Sequence, residues 1–220
     1  MDCRLIELPR TPIAEIGRGG LVKVVGTLRA SAPTFTAPLS GATCVWYWSA
    51  AQIYTRLRYA PDPITEQKAQ DVFVDDETGS ALVRMGPNVQ VRTADMKEDW
   101  CYEPPIPGDE RNIATTENVR HYLKSHGVAV RYWRTPFYTL RTLLQRDDFL
   151  LPSSGVPEKR AARYREFVLR PGDRVAIVGY ASHQPDPTVA VAGLRTAPLR
   201  LELGAAADGL FVSNELGVWA

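Results

Sequence analysis

Cysteine and histidine are scarce in this sequence, which has three of each among 220 residues. Cys3, Cys44 and Cys101 are widely spaced and odd in number. That pattern argues against a disulfide framework and fits a reducing compartment. A zinc module needs four nitrogen or sulfur ligands, commonly in two close pairs, and the sequence contains no such pairs. We therefore predict no metal site and no cofactor.

The three histidines, His121, His126 and His183, do not suggest a metal site either. His121 and His126 are five positions apart in a predicted helix. This spacing puts them about 140° apart around the helix axis, so one ion does not reach both. We expect all three histidines to lie on the solvated surface.

Long apolar runs are missing as well. No stretch approaches the roughly 18 consecutive apolar residues that indicate a membrane-spanning helix. The N-terminal stretch MDCRLIELPR contains acidic residues and no apolar run, unlike a signal peptide. We therefore expect a cytoplasmic protein that associates with a membrane only through segments outside this sequence.

The chain also lacks a strong net charge, since its formal charge is +1. Its overall field therefore does not indicate nucleic acid or a membrane as a partner. The charge is nevertheless uneven: residues 61–110 hold 12 acidic and 4 basic residues, whereas residues 117–170 hold 11 basic and 5 acidic residues. Either the two segments face each other, or the basic segment presents a surface to an acidic partner.

Strand-like segments dominate what is present. Residues 21–30 are rich in β-branched residues and predict a strand, and residues 42–59 (ATCVWYWSAAQIYTRLRY) predict one long strand. Successive side chains of a continuous strand point to opposite faces. The expected arrangement places Cys44, Trp46 and Trp48 on one face and Val45 and Tyr47 on the other.

Shorter strands and their turns fill most of the remaining chain. The predicted strands are DVFV (71–74), ALVRM (81–85), VQVRT (89–93), RYREFVLR (163–170), RVAIVGYA (174–181), VAVAGL (189–194), LRLEL (199–203) and GLFVS (209–213). Residues 60–67 and 95–114 predict loops. The turn DDETG, with Gly79 at positive φ, joins two strands. The turn PGD is expected to pair RYREFVLR directly with RVAIVGYA.

Helical patterns occur in two places. Residues 115–127 (TTENVRHYLKSHG) begin with a threonine cap, end at Gly127 and place Val119, Tyr122 and Leu123 on one face. Residues 135–146 (TPFYTLRTLLQR) space their apolar residues helically after a Thr-Pro start.

The sum of these elements predicts a mainly β (α+β) protein. We expect an OB-like antiparallel β-barrel, because closure removes exposed strand edges. The predicted barrel domain covers residues 21–213, with a helical insertion at about 115–146. Residues 1–20, ending in GRGG, form an N-terminal arm, and residues 214–220 form a C-terminal tail.

Candidate catalytic residues do not assemble into a site. DDETG lacks the alternating oxygen ligands of a calcium loop, and GRGG precedes a strand instead of a helix that could bind phosphate. Ser40 lacks the preceding glycine of a nucleophile elbow. Cys44 lies in an apolar strand, which predicts a buried, inert thiol. Glu166 stands between Arg163 and Arg165, so we expect it to be ion-paired. The sequence predicts no catalytic residue.

Three groups of motifs carry a family resemblance. VKVVGTLRA…TAPLSGATCVWYW is followed by DVFVDDETGSALV and later by YREFVLRPGDRVAIVGYA. In this order and spacing, they resemble the GIDE-type ("beside-a-membrane") domain of membrane-anchored mitochondrial E3 ubiquitin ligases and bacterial homologues. The resemblance covers most of residues 12–213, although residues 95–163 match only in general layout.

The resemblance implies a non-catalytic binding or scaffold module that recognises a protein partner or ligand. The chain lacks the cysteines and histidines of a RING, so the resemblance does not extend to ligase activity. Its alanine- and arginine-rich composition indicates a bacterial member. Two alternatives stay open: an OB-type protein that binds single-stranded nucleic acid, and an enzyme with an unrecognised site.

Two aromatic clusters are candidate contact sites. Trp46 and Trp48 are expected to fill the barrel, with Tyr47 outside under the helical insertion. The alternative is a shelf for stacked bases, for which Arg56 and Arg58 would be the nearest cations. The run Tyr132, Trp133 and Arg134 flanks the predicted helices and is the predicted contact for a protein partner.

Overall fold

The structure is a computed structural model that describes residues 7–17, 19–55, 58–59, 63–86, 89–93, 96–102, 110–127, 160–185, 199–205 and 209–215. Its strands are β1 (Leu21–Ala30), β2 (Phe35–Thr36), β3 (Thr43–Cys44), β4 (Trp46–Thr55), β5 (Arg58–Tyr59), β6 (Ile64–Ala69), β7 (Val72–Asp75), β8 (Ser80–Val83), β9 (Val89–Arg92), β10 (Met96–Tyr102), β11 (Arg160–Leu169), β12 (Arg174–Pro185), β13 (Leu199–Gly204) and β14 (Leu210–Ser213). One α-helix, α1 (Glu110–Ser125), and a 3₁₀ turn at Ile13–Glu15 complete the described elements.

Five strands close into a barrel. Their order is β1-β7-β8-β13-β12, and β12 pairs back onto β1. The predicted mainly β class and the barrel with a helical insertion are therefore confirmed. The expectation of a purely antiparallel barrel is wrong, because β13 runs parallel to β8. A parallel pair needs a long crossover connection, and the segments between β8 and β13 supply it.

A second sheet is built from the segments inserted between the barrel strands. Its order is β10-β11-β4, with β6 and β5 also pairing with β4. The sequence predicted loops at 60–67 and 95–114, whereas the structure has β6 and β10 there and begins α1 at Glu110. Both strands are rich in charged and polar residues, so neither shows the apolar alternation that identifies a strand.

The barrel core is continuous with part of the second sheet. Its buried side chains include Val24, Leu28, Val72, Val74, Ala81, Val83, Val175, Ile177, Leu201 and Leu203. Trp46 and Leu169, which are partners in the β4–β11 register, extend the same cluster, as does Ile13 of the N-terminal arm. The second sheet is thus packed firmly against the barrel.

The turn Pro171–Asp173 joins the two sheets instead of forming a hairpin. The segment RYREFVLR lies in β11 and pairs with β4 and β10, whereas RVAIVGYA lies in β12 and pairs with β1, β13 and β14. The predicted direct pairing of the two segments is wrong, although both are strands. The hydrogen-bonding edges of β11 are already occupied by other strands, and the turn itself is tied to Leu28 of β1.

The helix α1 confirms the first helical pattern. Val119, Tyr122 and Leu123 are buried on one face, and Gly127 ends the helix with a φ of 75°. These side chains pack with Leu39 and Ala51 and cover one face of the second sheet. The second helical pattern, at 135–146, and the predicted strand at 189–194 lie outside the described residues.

The segment ATCVWYWSAAQIYTRLRY is not one continuous strand. A bend at Val45 separates β3 from β4, and β3 pairs with β2. Cys44 therefore packs with Tyr47, and Val45 packs with Trp46, which is the reverse of the predicted sides. Tyr47 lies on the face opposite to Trp46, as predicted, but residues Phe35 to Cys44 cover it in place of the helix.

The DDETG segment is a turn, as predicted, and Asp76 organises it. Asp76 Oδ1 accepts hydrogen bonds from the backbone N–H groups of Thr78 (2.7 Å) and Gly79 (3.0 Å), and Oδ2 accepts one from Ile13 N (3.0 Å). The expectation of a positive φ at Gly79 is wrong. A Cβ atom there would lie 3.1 Å from Ile13 Cγ2, so the docked arm explains the glycine.

Asp76→Ala is expected to loosen the N-terminal arm and lower the free energy of unfolding by about 1–3 kcal/mol, because three backbone donors lose their acceptor. Faster amide hydrogen exchange at Ile13 would report the change. Glu77→Gln, at the exposed neighbouring position, is the control and is expected to leave exchange unchanged. Equal protection at Ile13 in the two variants would contradict this role.

The same carboxyl group makes the attachment of the arm sensitive to acid. Burial opposes ionisation of Asp76, but the hydrogen bonds from Thr78, Ile13 and Gly79 outweigh it and lower its pKa. Because the pKa is lower in the folded state, the stabilisation is present above the usual carboxyl pKa, near about 3.9. It is lost as the pH falls through the folded value.

The two segments of opposite charge come together in the second sheet. In the β10–β11 register, Glu98 is paired with Arg165 and Lys97 with Glu166. The Nε2 atom of His126, at the end of α1, lies 3.5 Å from Glu66 Oε2 on β6. Parts of the acidic and basic segments are therefore neighbours in these strands, and the cancellation of their charges stays a prediction.

Candidate ligand-binding site

A pocket opens on the face of the second sheet opposite to α1. It is lined by Trp48, Ala50, Gln52, Pro63, Arg163, Tyr164 and Arg165 and has a volume of about 110 Å³. We call it the Trp48 pocket. Its walls come from β4 and β11 and from the residue that precedes β6. Since the β4 and β11 walls are regular strands, their positions are fixed by backbone hydrogen bonds.

Trp48 contacts both the edge of the barrel core and the pocket. Its ring lies 5.5 Å from the Phe167 ring at an interplanar angle of 58°, and these two residues are partners in the β4–β11 register. Both pack partly against the barrel core. The prediction that Trp46 and Trp48 are largely buried is confirmed for Trp46, which is 4% exposed. Trp48 is partly buried and packs against the same core, so it is less completely enclosed than Trp46.

Two arginines lie on the same face of the sheet as Trp48. Alternate residues of a strand share a face, so Arg163, Arg165 and Phe167 follow one another along β11. In the register with β4, Arg163 is paired with Gln52 and Arg165 with Ala50. Both arginines also make contacts within the protein. The pocket thus combines an aromatic ring, an amide and two guanidinium groups.

Glu166 points to the other face and does not form the expected ion pair with its two arginine neighbours. Its Oε1 atom accepts hydrogen bonds from Leu39 N at 2.9 Å and Ser49 Oγ at 2.8 Å, and Oε2 accepts one from Ser40 N at 2.8 Å. Glu166 is 1% exposed. It therefore acts as a buried acceptor that fixes residues 37–41, which we call the APLSG loop, to the second sheet.

The helix α1 holds the same loop from its other side. Asn118 Nδ2 donates to the Leu39 carbonyl at 3.0 Å, and Tyr122 OH is 3.3 Å from both the Ser49 and the Ile64 carbonyl oxygens. Burial raises the pKa of the Tyr122 hydroxyl above its usual value. The hydroxyl therefore keeps its proton near neutral pH and can donate a hydrogen bond. These bonds hold the loop, α1 and the sheet together behind the Trp48 pocket.

Cys44 and Tyr47 form a buried cluster next to the APLSG loop. Burial, and then the nearby Glu166, raise the pKa of the Cys44 thiol to about 11. A thiol with this pKa is protonated near neutral pH and reacts slowly, as predicted for an inert buried cysteine. Burial and the hydrogen bond to Glu66 also raise the pKa of Tyr47. Neither group is prepared to act as a nucleophile.

His126 is the centre of an arrangement that superficially resembles a hydrolytic triad. Its Nδ1 atom lies 3.3 Å from Ser125 Oγ, and its Nε2 atom faces Glu66. However, Nδ1 is also 2.8 Å from the Tyr122 carbonyl, which only accepts hydrogen bonds, so Nδ1 carries the proton. It therefore does not take a proton from Ser125, whose hydroxyl donates to the same carbonyl at 2.8 Å.

The other two histidines differ from each other. His121 is exposed on α1, as expected, whereas His183 on β12 is half-buried and its Nδ1 atom has no hydrogen-bond partner among the described residues. Within the described ranges, no group of three or more histidine, cysteine or acidic side chains is close enough to hold a metal ion. Over the same part of the chain, no helix is both long and apolar enough to cross a membrane.

The predicted partner contact Tyr132, Trp133 and Arg134 lies outside the described residues and stays a prediction. The sequence does not predict the Trp48 pocket, because it places Trp48 in the core and Arg163 and Arg165 beside Glu166 as its neighbours along the strand. The alternation of charged and apolar residues in RYREF was the available signal, since it places both arginines on one face.

Comparison of the sequence and the structure with family models, curated proteins and solved structures gives no match.

Proposed function

We propose that this protein is a non-catalytic binding or scaffold module of the GIDE type that recognises a protein partner through the Trp48 pocket. The observation that carries the proposal is the meeting of Trp48 with Gln52, Arg163 and Arg165 in one open concavity. Aromatic residues and arginines are the residue types most enriched among the strongest contacts of protein interfaces.

The positions of the GIDE-like motifs support a role as a framework. The APLSG loop is bound by Glu166 of YREFVLRPGD, and the PGD turn connects the two sheets. Asp76 of FVDDETG attaches the N-terminal arm to the barrel. All three motifs thus have roles in assembling the fold, and a family defined by such motifs shares a scaffold more than a reaction.

The most direct test is photo-crosslinking of the native partner. A photoreactive amino acid at Gln52 is introduced into the full chain in its natural host, and the crosslinked proteins are identified. We expect one dominant protein that is lost when Arg163→Gln and Arg165→Gln are combined. The same photoreactive residue at exposed Thr27 of the barrel is the control and should not yield that protein. Identical products from both positions would argue against the proposal.

Binding to single-stranded nucleic acid is the second candidate, because Arg163 and Arg165 lie beside Trp48 and are much closer in space than the sequence suggested. Rings next to cations are typical of sites that stack bases. A gel-shift titration with oligothymidine at several salt concentrations separates the two candidates. Affinity that falls steeply with salt and depends on Trp48 would favour nucleic acid.

Zinc and ubiquitin assays test the non-catalytic part of the proposal. We expect no stoichiometric zinc in the purified protein and no ubiquitin transfer by the isolated chain, because a RING needs paired cysteine and histidine ligands. Elemental analysis and a transfer assay with a charged conjugating enzyme give these results. One equivalent of zinc, or ubiquitin transfer, would contradict the proposal.

A further inference from the structure

We infer that the Trp48 pocket receives one apolar or aromatic side chain from an extended acidic segment of the partner protein, with carboxylates of that segment bound by Arg163 and Arg165. This inference rests on the proposed function and specifies the chemistry of the partner at the same site.

The size of the pocket favours a single side chain over a small-molecule ligand. Its volume is about 110 Å³. Sites for small molecules typically measure about 300–1,000 Å³. A cavity below that range fits an anchor residue, and the half-buried Trp48 ring provides the flat wall against which such an anchor packs. The contact with Phe167 holds that ring in place.

The spacing of the two arginines favours an extended peptide. Arg163 and Arg165 are two positions apart on one strand, which separates their Cα atoms by about 6.8 Å. In an extended peptide, side chains two positions apart have the same spacing and the same direction. Two acidic residues of such a segment can therefore approach the two guanidinium groups together, with the intervening side chain pointing away.

The local charge supports an acidic segment even though both arginines already interact within the protein. A guanidinium group has five N–H donors, so it can hold an internal partner and a carboxylate at the same time. The register also pairs Arg165 with Glu98 of β10. The other residues of the pocket wall are uncharged, so the only formal charges among its lining residues are positive.

Nucleic acid fits these observations less well. Proteins that bind it through the backbone neutralise many phosphates and have a strongly basic surface. This chain has a net charge of +1 and a pI of about 7.7. Two arginines at a pocket the size of one side chain suit a short acidic peptide better than a polyanion.

The test is a selection of peptides by the full-length protein from a random display library, followed by fluorescence-anisotropy titration of the selected peptides. We expect enriched sequences with acidic residues two positions apart next to an apolar or aromatic residue. The variant that combines Arg163→Gln and Arg165→Gln should bind them on the order of tenfold more weakly, because charged hydrogen bonds are lost. Trp48→Phe should weaken them less, because a ring remains.

Arg174→Gln, an exposed arginine at the start of β12 in the barrel, is the matched control and should leave the affinity unchanged. Equilibrium unfolding establishes that each variant is folded before it is titrated. Enrichment of neutral or basic peptides, the same loss in the Arg174 variant, or tighter binding of oligothymidine than of any peptide would overturn the inference.

The outcomes also separate this inference from the proposed function. Neutral peptides whose binding depends on Trp48 would overturn the acidic segment but keep the pocket as a binding site. Failure to enrich any peptide would overturn the inference, while crosslinking of the native partner would still decide the proposed function.

Discussion

Glu166→Ala is expected to destabilise the protein by about 3–5 kcal/mol, because it leaves two backbone N–H groups and one hydroxyl without their acceptor in or near the interior. Glu166 is 1% exposed and accepts hydrogen bonds from Leu39 N, Ser40 N and Ser49 Oγ. Urea unfolding at constant m-value would measure the loss in the free energy of unfolding.

The isosteric variant Glu166→Gln distinguishes lost hydrogen bonds from a lost volume. Its amide keeps one oxygen as an acceptor but directs an NH₂ group toward a donor, so we expect a loss of about 1–3 kcal/mol. Glu117→Gln, at an exposed position of α1, is the control and should stay within about 0.5 kcal/mol of the parent protein. If Glu166→Ala were as stable as the control, Glu166 would not organise the APLSG loop.

Trp46→Ala is expected to cost about 3–5 kcal/mol, as a large-to-small change in the barrel core. Trp46 is 4% exposed and packs with Val45, Leu169 and the barrel residues. Trp48→Ala should cost less, about 1–2 kcal/mol, because Trp48 is only half-buried. Thermal and urea unfolding of both variants give the comparison. Equal losses would mean that the two rings are buried to the same extent.

A second variant tests the environment of the indole N–H. Trp46 Nε1 is buried and has no hydrogen-bond partner among the described residues. An unpaired buried donor is costly, so Trp46→Phe removes that cost while it retains a large ring. We therefore expect Trp46→Phe to be more stable than Trp46→Ala by at least about 1 kcal/mol. Because both variants remove the N–H, the comparison of Trp46→Phe with the parent protein tests the donor: a loss as large as that of Trp46→Ala would show that the indole N–H is bonded in solution.

The features that the sequence predicted well depend on residues close together in the chain. The apolar stripe Val119, Tyr122 and Leu123 predicted the buried face of α1 because helical spacing alone brings them together. The Asp76 turn was predictable for the same reason, since its acceptor and two of its donors lie within four residues. Within the described residues, the strands rich in β-branched residues also occur where they were predicted, as in β1, β7 and β12.

The features that the sequence missed depend on which strand pairs with which. The sequences of β6 and β10 are polar and predict loops. They are strands because they pair with β4 and β11, respectively. The bend at Val45 exchanges the expected faces of Cys44 and Val45 because Cys44 belongs to a separate pairing with β2. The bend falls on Val45, a residue type that is common in strands, so the sequence pattern does not show where the strand is interrupted.

The candidate site illustrates the same division. The sequence supplied a tryptophan in a strand rich in aromatic residues and two arginines in an alternating segment far along the chain. It could not place Arg163 and Arg165 beside Trp48, and it proposed Arg56 and Arg58 as the nearest cations. The β4–β11 register aligns Phe167 with Trp48 and Arg165 with Ala50, and this alignment forms the pocket.

The sequence by itself determined that this protein is mainly β with a helical insertion, because residue type and periodicity set the local backbone and the face of each segment that avoids water. Only the tertiary structure decided that the barrel contains a parallel pair, that Glu166 turns inward to the APLSG loop, and that its arginine neighbours turn outward to Trp48. Strand pairing joins segments distant in the chain, so register and partner follow from the packing of all segments together and not from any one of them.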